Sequence, residues 1–286
     1  MPGSVAQLDV RGRHAPGEIA ALLEAGKVLL TPDPCFDLTA AERRFLSPDC
    51  VEGNTKNVSY RPASGAVHGS RFVGEEREQL KRMLKRFYER SREFLEVLIP
   101  EYRDRMTAGF TSFRPAEIAG RKTSWRQDDT RLHIDAFPSR PMQGLRILRM
   151  FQNVNPSAPR LWRVGECFED VAQRFLKQVP REIPGSGRLL YWLHITKSRR
   201  TPYDHFMLGI HNRMKADETY QRDCPQSELA LPPGATWMCF TDCVPHAAMA
   251  GQFALEQTFY LPVKSMQEPG RSPLRVLERL TGRVLT

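Results

Sequence analysis

Arg131-Leu-His-Ile-Asp-Ala-Phe137 is the stretch that decides the fold. Alternate side chains of an extended chain point to opposite faces, so His133 and Asp135 share one face and Leu132, Ile134 and Ala136 take the other. A polar pair on the inner face of a strand needs a partner there, and a metal ion can serve. Pro138, Pro141 and Gly144 end the strand. Far downstream, Pro232-Pro233-Gly234 signals a turn and Thr236 to Thr241 reads as a strand. Asp242 to Pro245 turns the chain, His246-Ala247-Ala248 begins the next strand, and Gly251 breaks it. Phe253 to Val263 is a last long apolar strand. Turn, strand, histidine, turn and strand in that order are what the closing half of a jelly-roll barrel requires. The expected fold class is therefore α+β, a double-stranded β-helix (jelly-roll or cupin-like) barrel with N-terminal and inserted helices.

Two imidazoles and one carboxylate on one face of an iron ion leave the opposite face open for a cosubstrate and dioxygen, as in non-haem Fe(II) oxygenases. His133, Asp135 and His246 are the candidate metal ligands and catalytic centre. Their wide separation suits two ends of one barrel sheet and does not suit a zinc finger. The competing reading makes His133 a surface strand residue and His246 a hydrogen-bonded core histidine. For the other histidines that ordinary reading is preferred. His14 and His68 lie in polar, Gly/Pro-flanked stretches, and His205 and His211 fall six apart on a helix-like stretch, on nearly opposite faces. His194 ends the apolar run Leu189 to Leu193 as a strand-end histidine.

Enzymes with such a triad commonly use 2-oxoglutarate, whose distal carboxylate needs a cation; the arginine fork matches a carboxylate bidentately. In many of them that cation follows the distal histidine by about one strand, but here Glu256 and Gln257 occupy the position and no Arg or Lys precedes Lys264. The strand after His-x-Asp, Arg146-Ile-Leu-Arg-Met-Phe-Gln-Asn153, offers a substitute. Its alternation groups Ile147, Arg149, Phe151 and Asn153 on one face and Arg146, Leu148, Met150 and Gln152 on the other. Arg149 shares a face with apolar neighbours and so calls for a buried anion; it is the expected cosubstrate anchor. Arg146 is then the more exposed arginine, although the two can exchange roles. Arg114 is a further candidate for the same pocket or for an anionic substrate. Asn153 and Gln257 complete the candidate cosubstrate-binding residues.

Several blocks resemble the Kdo hydroxylases of Gram-negative bacteria. They are Arg131 to Pro141, Arg146 to Pro156, Arg160-Leu-Trp-Arg-Val-Gly-Glu166, Met207 to Asp217, and Thr241-Asp-Cys-Val-Pro-His-Ala-Ala-Met-Ala-Gly-Gln252. The resemblance runs from about Arg114 to about Pro262. It implies an Fe(II)- and 2-oxoglutarate-dependent dioxygenase, assayed in vitro with ascorbate as reductant. The reaction it implies is hydroxylation of the deoxy carbon, C3, of the outer 3-deoxy-D-manno-oct-2-ulosonic acid (Kdo) of Kdo-bearing lipid A, giving Ko in lipopolysaccharide. It also implies His133, Asp135 and His246 as iron ligands, and it favours an arginine on the strand after His-x-Asp as anchor. The alternatives are the same chemistry on a peptide or another lipid, and a jelly-roll protein that holds a metal without catalysis.

Composition is compatible with these expectations. The chain carries a net charge of +9, which suits nucleic acid, an anionic membrane or an acidic glycolipid alike. No nucleic-acid motif is present. Six cysteines, at 35, 50, 167, 224, 239 and 243, match no zinc or thioredoxin spacing, and free thiols fit a reducing compartment. Met1 to His14 lacks the apolar core of a secretory signal, and no window is long and apolar enough to span a bilayer. The expected location is cytoplasmic, with peripheral contact at the inner face of the inner membrane.

Three regions are expected: 1–110 as helical and irregular support, 111–265 as the barrel, and 266–286 as a C-terminal helix docking on it. Helices are read at Gly17 to Leu30, Thr39 to Leu46, Glu75 to Leu98, Glu166 to Val179, Asp204 to Tyr220 and Leu274 to Leu280, and a loop at Asn54 to Arg71. Glu75 to Leu98 is the clearest, with an apolar stripe of Leu80, Met83, Leu84, Phe87, Phe94, Leu95 and Leu98. Asp204 to Tyr220 carries His211 and Lys215 on one face and either borders the site or only packs.

Overall fold

The computed structural model describes residues 5–286 except 11, 13, 54 and 122. Its strands are β1 (Val5–Gln7), β2 (Val28–Thr31), β3 (Val58–Arg61), β4 (Ala66–His68), β5 (Thr107–Arg114), β6 (Arg146–Asn153), β7 (Arg160–Val164), β8 (Ser227–Leu231), β9 (Thr236–Phe240), β10 (His246–Ala250) and β11 (Ala254–Leu261). The helices are α1 (Glu18–Glu24), α2 (Gly74–Leu98), α3 (Phe168–Phe175), α4 (Ser186–Trp192), α5 (Pro202–Ala216), α6 (Glu218–Asp223) and α7 (Pro273–Thr281).

Two sheets face each other. The larger runs β1-β2-β9-β6-β11-β5-β3-β4 and the smaller β10-β7-β8. Successive barrel strands alternate between the sheets, β6 to β7, β8 to β9 and β10 to β11, which is the winding of a jelly roll. The Arg131–Phe137 segment belongs to the smaller sheet but is not a full strand. It is extended and joined to β10 by a single bridge, His133 to His246, with a hydrogen bond in each direction at 3.1 and 2.9 Å. The Asp135 amide then donates to the Thr241 carbonyl at 2.8 Å, so the segment crosses from β10 towards the end of β9. Leu132 and Ile134 are fully buried on its outer face, as alternation requires.

The β9 and β11 strands and the helices α2, α3 and α7 lie where the sequence places them. Elsewhere the sequence misleads. The expected helix Gly17 to Leu30 is cut short: α1 ends before Gly26, whose φ of +77° suits a residue without Cβ, and β2 follows. Thr39 to Leu46 holds only a short 3-10 turn, Glu42–Phe45. The Asn54 to Arg71 stretch, expected as loop, contains the β3–β4 hairpin, which buries Val58, Tyr60 and Val67. The first 110 residues therefore extend the large sheet at both edges: β1 and β2 beyond β9, β3 and β4 beyond β5.

A second apolar cluster explains α2. Leu80, Met83, Leu84 and Phe87 meet Phe113 of β5 and Leu255 of β11 on the outer face of the large sheet. Phe87 is fully buried, and its truncation to alanine costs about 3–5 kcal/mol. On the other side α5 is fastened to the loop that follows Asp135. Thr201 and Asp204 form a capping box at its start. Asp204 Oδ1 also accepts from the amides of Met142 and Gln143, at 2.7 and 2.9 Å. All six cysteines are free. Among the described residues no helix is long and apolar enough to cross a membrane.

Candidate metal centre and its pocket

The single bridge between Arg131–Phe137 and β10 places His133 beside His246, and the two-residue period brings Asp135 to the same side. One ligand atom from each of the three lies within 4.8 Å of the others, and all three residues are buried. The imidazoles are set for a metal. Nδ1 of His133 is 2.7 Å from the Arg131 carbonyl and Nδ1 of His246 is 2.9 Å from the Val244 carbonyl. A carbonyl only accepts, so both Nδ1 atoms carry the proton and both Nε2 lone pairs are free. Burial, then the neighbouring His246 and His211, hold His133 well below the usual imidazole range; burial also lowers His246. Burial alone would raise the Asp135 carboxyl, but Arg149 and the surrounding donors outweigh it and keep it ionised. Asp135 Oδ2 is buried with no hydrogen bond. A buried carboxylate oxygen without a donor is costly unless a cation is close. Arg149 Nε is the nearby cation, at 3.1 Å without hydrogen-bond alignment; two neutral imidazoles and an ionised carboxylate that converge in this way fit a divalent ion such as iron.

The cavity over the triad has a volume of about 210 Å³ and is lined by residues that include Lys56, Arg114, Arg149, Arg160, Trp162 and Glu256. A water takes about 30 Å³ in the liquid, so this space suits a small acid or one sugar and not a lipid. A larger cavity, about 1040 Å³, lies between α1, α3 and α7 and shares no residue with the triad.

Sheet register explains the charges. Arg149 pairs with Thr258, and Ala254 pairs with Arg114, so Glu256 lies diagonal to an arginine on each neighbouring strand. Arg149 Nη1 is 2.9 Å from Glu256 Oε1, and its Nε is 3.1 Å from Asp135 Oδ2 without hydrogen-bond alignment. Arg114 approaches Glu256 Oε2 through Nε at 2.8 Å and Nη2 at 2.7 Å. The cation missing from the strand after His246 is thus replaced by an acid that holds two arginines from the strands beside it.

Of the residues singled out from the sequence, His133, Asp135, His246, Arg149 and Arg114 come together. Arg146, Asn153 and Gln257 do not. Arg146 was expected to be the more exposed arginine and is instead fully buried on the opposite face of β6. It pairs with Asp242 at 2.6 Å and lies 4.0 Å from the Phe240 ring. Both faces of the large sheet are covered, so the face away from the pocket is no more exposed. Asn153 shares Arg149's face but lies at the strand end, where Nδ2 donates to the carbonyls of Ala158 and Leu231. Gln257 points to the outer face and accepts from the Thr111 hydroxyl at 2.6 Å. The run Leu189 to Leu193 is helical and exposed in and after α4, and His194 is exposed beyond it with φ +56°. His211 does border the site. Its ring is 5.3 Å from that of His133, and its Nδ1 donates to the Ile134 carbonyl at 2.6 Å.

Arg160 is the residue that sequence reasoning passed over. It starts β7 on the same face as Trp162, which stacks on His246 at 5.4 Å. Arg160 is 3% exposed, and its Nη1 donates to the Gly251 carbonyl at 3.1 Å while Nε has no partner. Gly251 is needed there, because a Cβ would come within 3.0 Å of Arg160 Cα. Burial, with Arg114 nearby, pushes the Arg160 guanidinium down to about 9. The alternation of Arg160, Trp162 and Val164 was the available signal.

A family model described as 3-deoxy-D-manno-oct-2-ulosonic acid (Kdo) hydroxylase matches residues 9–284. Among solved structures, the Kdo hydroxylase KdoO, a non-haem Fe(II) α-ketoglutarate-dependent dioxygenase, in complex with α-ketoglutarate and Fe(III), is 43% identical with a TM-score of 0.93. That match covers 99% of this chain and 97% of the other. The cobalt(II) complex of KdoO is 44% identical (TM-score 0.93) and the complex with succinate and Fe(III) 43% identical (TM-score 0.92), each covering 98% of this chain and 97% of the other. No curated protein matches the chain. A family model over almost the whole sequence, with solved relatives of the same architecture, places this chain in the Kdo hydroxylase family.

Proposed function

We propose that this protein is an Fe(II)/2-oxoglutarate-dependent hydroxylase acting on C3 of the outer Kdo of Kdo-bearing lipid A. The observation that carries the reading is the buried triad, with both Nδ1 protons fixed and both Nε2 lone pairs free beside an ionised carboxylate, in a chain of this family. Iron held by His133, Asp135 and His246 supplies the activation of dioxygen, with 2-oxoglutarate (α-ketoglutarate) as the co-reductant that leaves as succinate and carbon dioxide. One oxygen atom goes to the sugar carbon and one to succinate. A lipid A-linked acceptor puts the enzyme at the inner face of the inner membrane.

The chain's own residues position and shield. The Arg131 and Val244 carbonyls fix the imidazoles, Arg149 keeps Asp135 ionised, and Trp162 covers one face of His246. The distal carboxylate of 2-oxoglutarate goes to Arg160. Arg149 and Arg114 are already engaged by carboxylates, whereas among the described residues Arg160 is a buried cation with no ion pair and an unpartnered Nε. A dicarboxylate there relieves an uncompensated buried charge. Arg149 is then a positioning residue for Asp135 and Glu256.

Mass spectrometry of Kdo-bearing lipid A, after incubation with the protein, Fe(II), ascorbate and 2-oxoglutarate, tests the reading. The expected product has gained one oxygen atom only when 2-oxoglutarate is present. Succinate formation without that gain sends the chemistry to another lipid or a peptide. No turnover with any Kdo-bearing lipid reduces the protein to a metal-binding jelly roll.

A further inference from the structure

The segment 183–195, inserted between α3 and α5, turns most of its apolar side chains to solvent. It holds six of the ten large hydrophobic side chains that are exposed among the described residues: Ile183, Leu189, Tyr191, Trp192, Leu193 and Ile195. Trp192 and Ile183 are each 74% exposed. A solvated apolar cluster of this kind marks a contact surface. The surrounding residues identify the contact. Between 177 and 200 the chain has six Lys or Arg and one acid, Glu182. Among the described residues none of the six forms an ion pair. Arg188, Arg199 and Arg200 line a cleft of about 190 Å³ at the edge of the apolar group.

We infer that this segment docks the protein on an anionic phospholipid bilayer. Trp192 and Tyr191 suit the interfacial zone, where an aromatic ring is half in hydrocarbon and half in water. Ile183, Leu189, Leu193 and Ile195 enter the acyl boundary, and the unpaired cations meet lipid phosphates. The inference deepens the proposed function and rests on its lipid-linked acceptor. The cavity over the triad, about 210 Å³, is far too small for acyl chains, so those of such an acceptor stay in the bilayer and the protein comes to them.

The segment is tied to the site. The Lys197 amide donates to the Ser139 carbonyl at 2.8 Å and Arg200 Nη2 to the Pro138 carbonyl at 2.7 Å. Gln143 Nε2 donates to the Arg199 carbonyl at 2.9 Å. These bonds join the residues that follow the docking segment to the loop after Phe137, and Phe137 itself lines the metal cavity. Gly187 is buried against the Arg200 backbone with no room for a Cβ, which fixes α4 with its apolar face outward.

The test uses the full chain without iron and vesicles without Kdo, so it reads membrane docking apart from hydroxylation. Cosedimentation is expected with phosphatidylglycerol-containing vesicles, to weaken as salt rises, and to be poor with pure phosphatidylcholine. Trp192→Glu is expected to lower the partition by about tenfold or more. Arg188→Glu with Arg199→Glu is expected to do so by a similar factor of about ten, and serves if Trp192→Glu fails to fold. Equal binding to neutral and anionic vesicles, no binding to either, or wild-type binding by these variants overturns the inference. So does a dimer in analytical ultracentrifugation that Trp192→Glu dissociates, which gives the surface to a second copy of the chain.

Discussion

Replacing Arg160 with methionine separates the two candidate anchors for 2-oxoglutarate. The substitution keeps an unbranched apolar stem in the pocket and removes the guanidinium. Among the described residues Arg160 has no ion pair, and its guanidinium donates to the Gly251 carbonyl while Nε has no partner. Removing an unpaired buried charge is close to neutral for stability, or stabilising. In the ternary site the arginine would face a carboxylate. Truncating one partner of a buried, hydrogen-bonded charge pair costs about 2–5 kcal/mol. At about 1.4 kcal/mol per factor of ten, the apparent KM for 2-oxoglutarate rises from about 30-fold to a few thousand-fold. Arg149→Met has a different signature. It leaves Asp135 and one oxygen of Glu256 buried without their cation, so it weakens metal binding and lowers the melting temperature. The assay is succinate formation against 2-oxoglutarate concentration, with direct titration of 2-oxoglutarate into cobalt-loaded protein and a thermal melt of each variant. An unchanged KM in Arg160→Met, together with a raised KM and normal metal affinity in Arg149→Met, would refute the assignment and restore Arg149 as the anchor.

Other consequences are equally direct. His133→Ala and His246→Ala should each abolish stoichiometric Co(II) binding by calorimetry and 2-oxoglutarate turnover; retained activity in both would remove the triad. Arg146→Ala should destabilise the fold by about 3–5 kcal/mol, because Asp242 is left in the core without its partner. Arg146→Met with Asp242→Leu should recover most of that loss in chemical denaturation, and 2-oxoglutarate affinity should be unaffected in the double variant. The metal-free protein should lose stability on acidification. His133, His246 and His211 have folded pKa values lowered from 6.5, so below that pH the unfolded chain takes up protons that the folded site refuses. Their contribution is complete above pH 6.5 and falls away as pH drops towards the lowered folded values. A melting temperature flat between pH 7 and 5 would contradict it.

Local pattern was enough for the chemistry that neighbouring residues share. The two-residue period of Arg131 to Phe137 put His133 and Asp135 on one face, and the turn-and-strand order around His246 indicated a jelly roll. The stripe on α2 announced a buried face because helical period and burial coincide over 25 residues. Local pattern failed where the partner is remote. Alternation separated Arg146 from Arg149 correctly but could not rank their exposure, because α1, α2 and the C-terminal segment cover the outer face of the large sheet. The partner of Arg146 is Asp242, 96 positions away, and Glu256 is claimed by arginines from two different strands. Asn153 and Gln257 have plausible side chains on plausible strands, but only the end of the cavity and the direction of one pleat exclude them.

The apolar run before His194 shows the same limit in reverse. Leu189 to Leu193 has the composition of a buried strand, yet it forms the end of α4 and the turn after it, with Leu189, Tyr191, Trp192 and Leu193 exposed. The sequence by itself determined the candidate ligand set, the barrel class and the excess of positive charge, since each follows from residue type and short-range period. The tertiary structure alone decided which arginine is left without an anion, which face of each strand is pocket, and which hydrophobic residues remain in water. Those are properties of pairing across the fold, and a charge or an apolar surface acquires its role only from what is, or is not, packed against it.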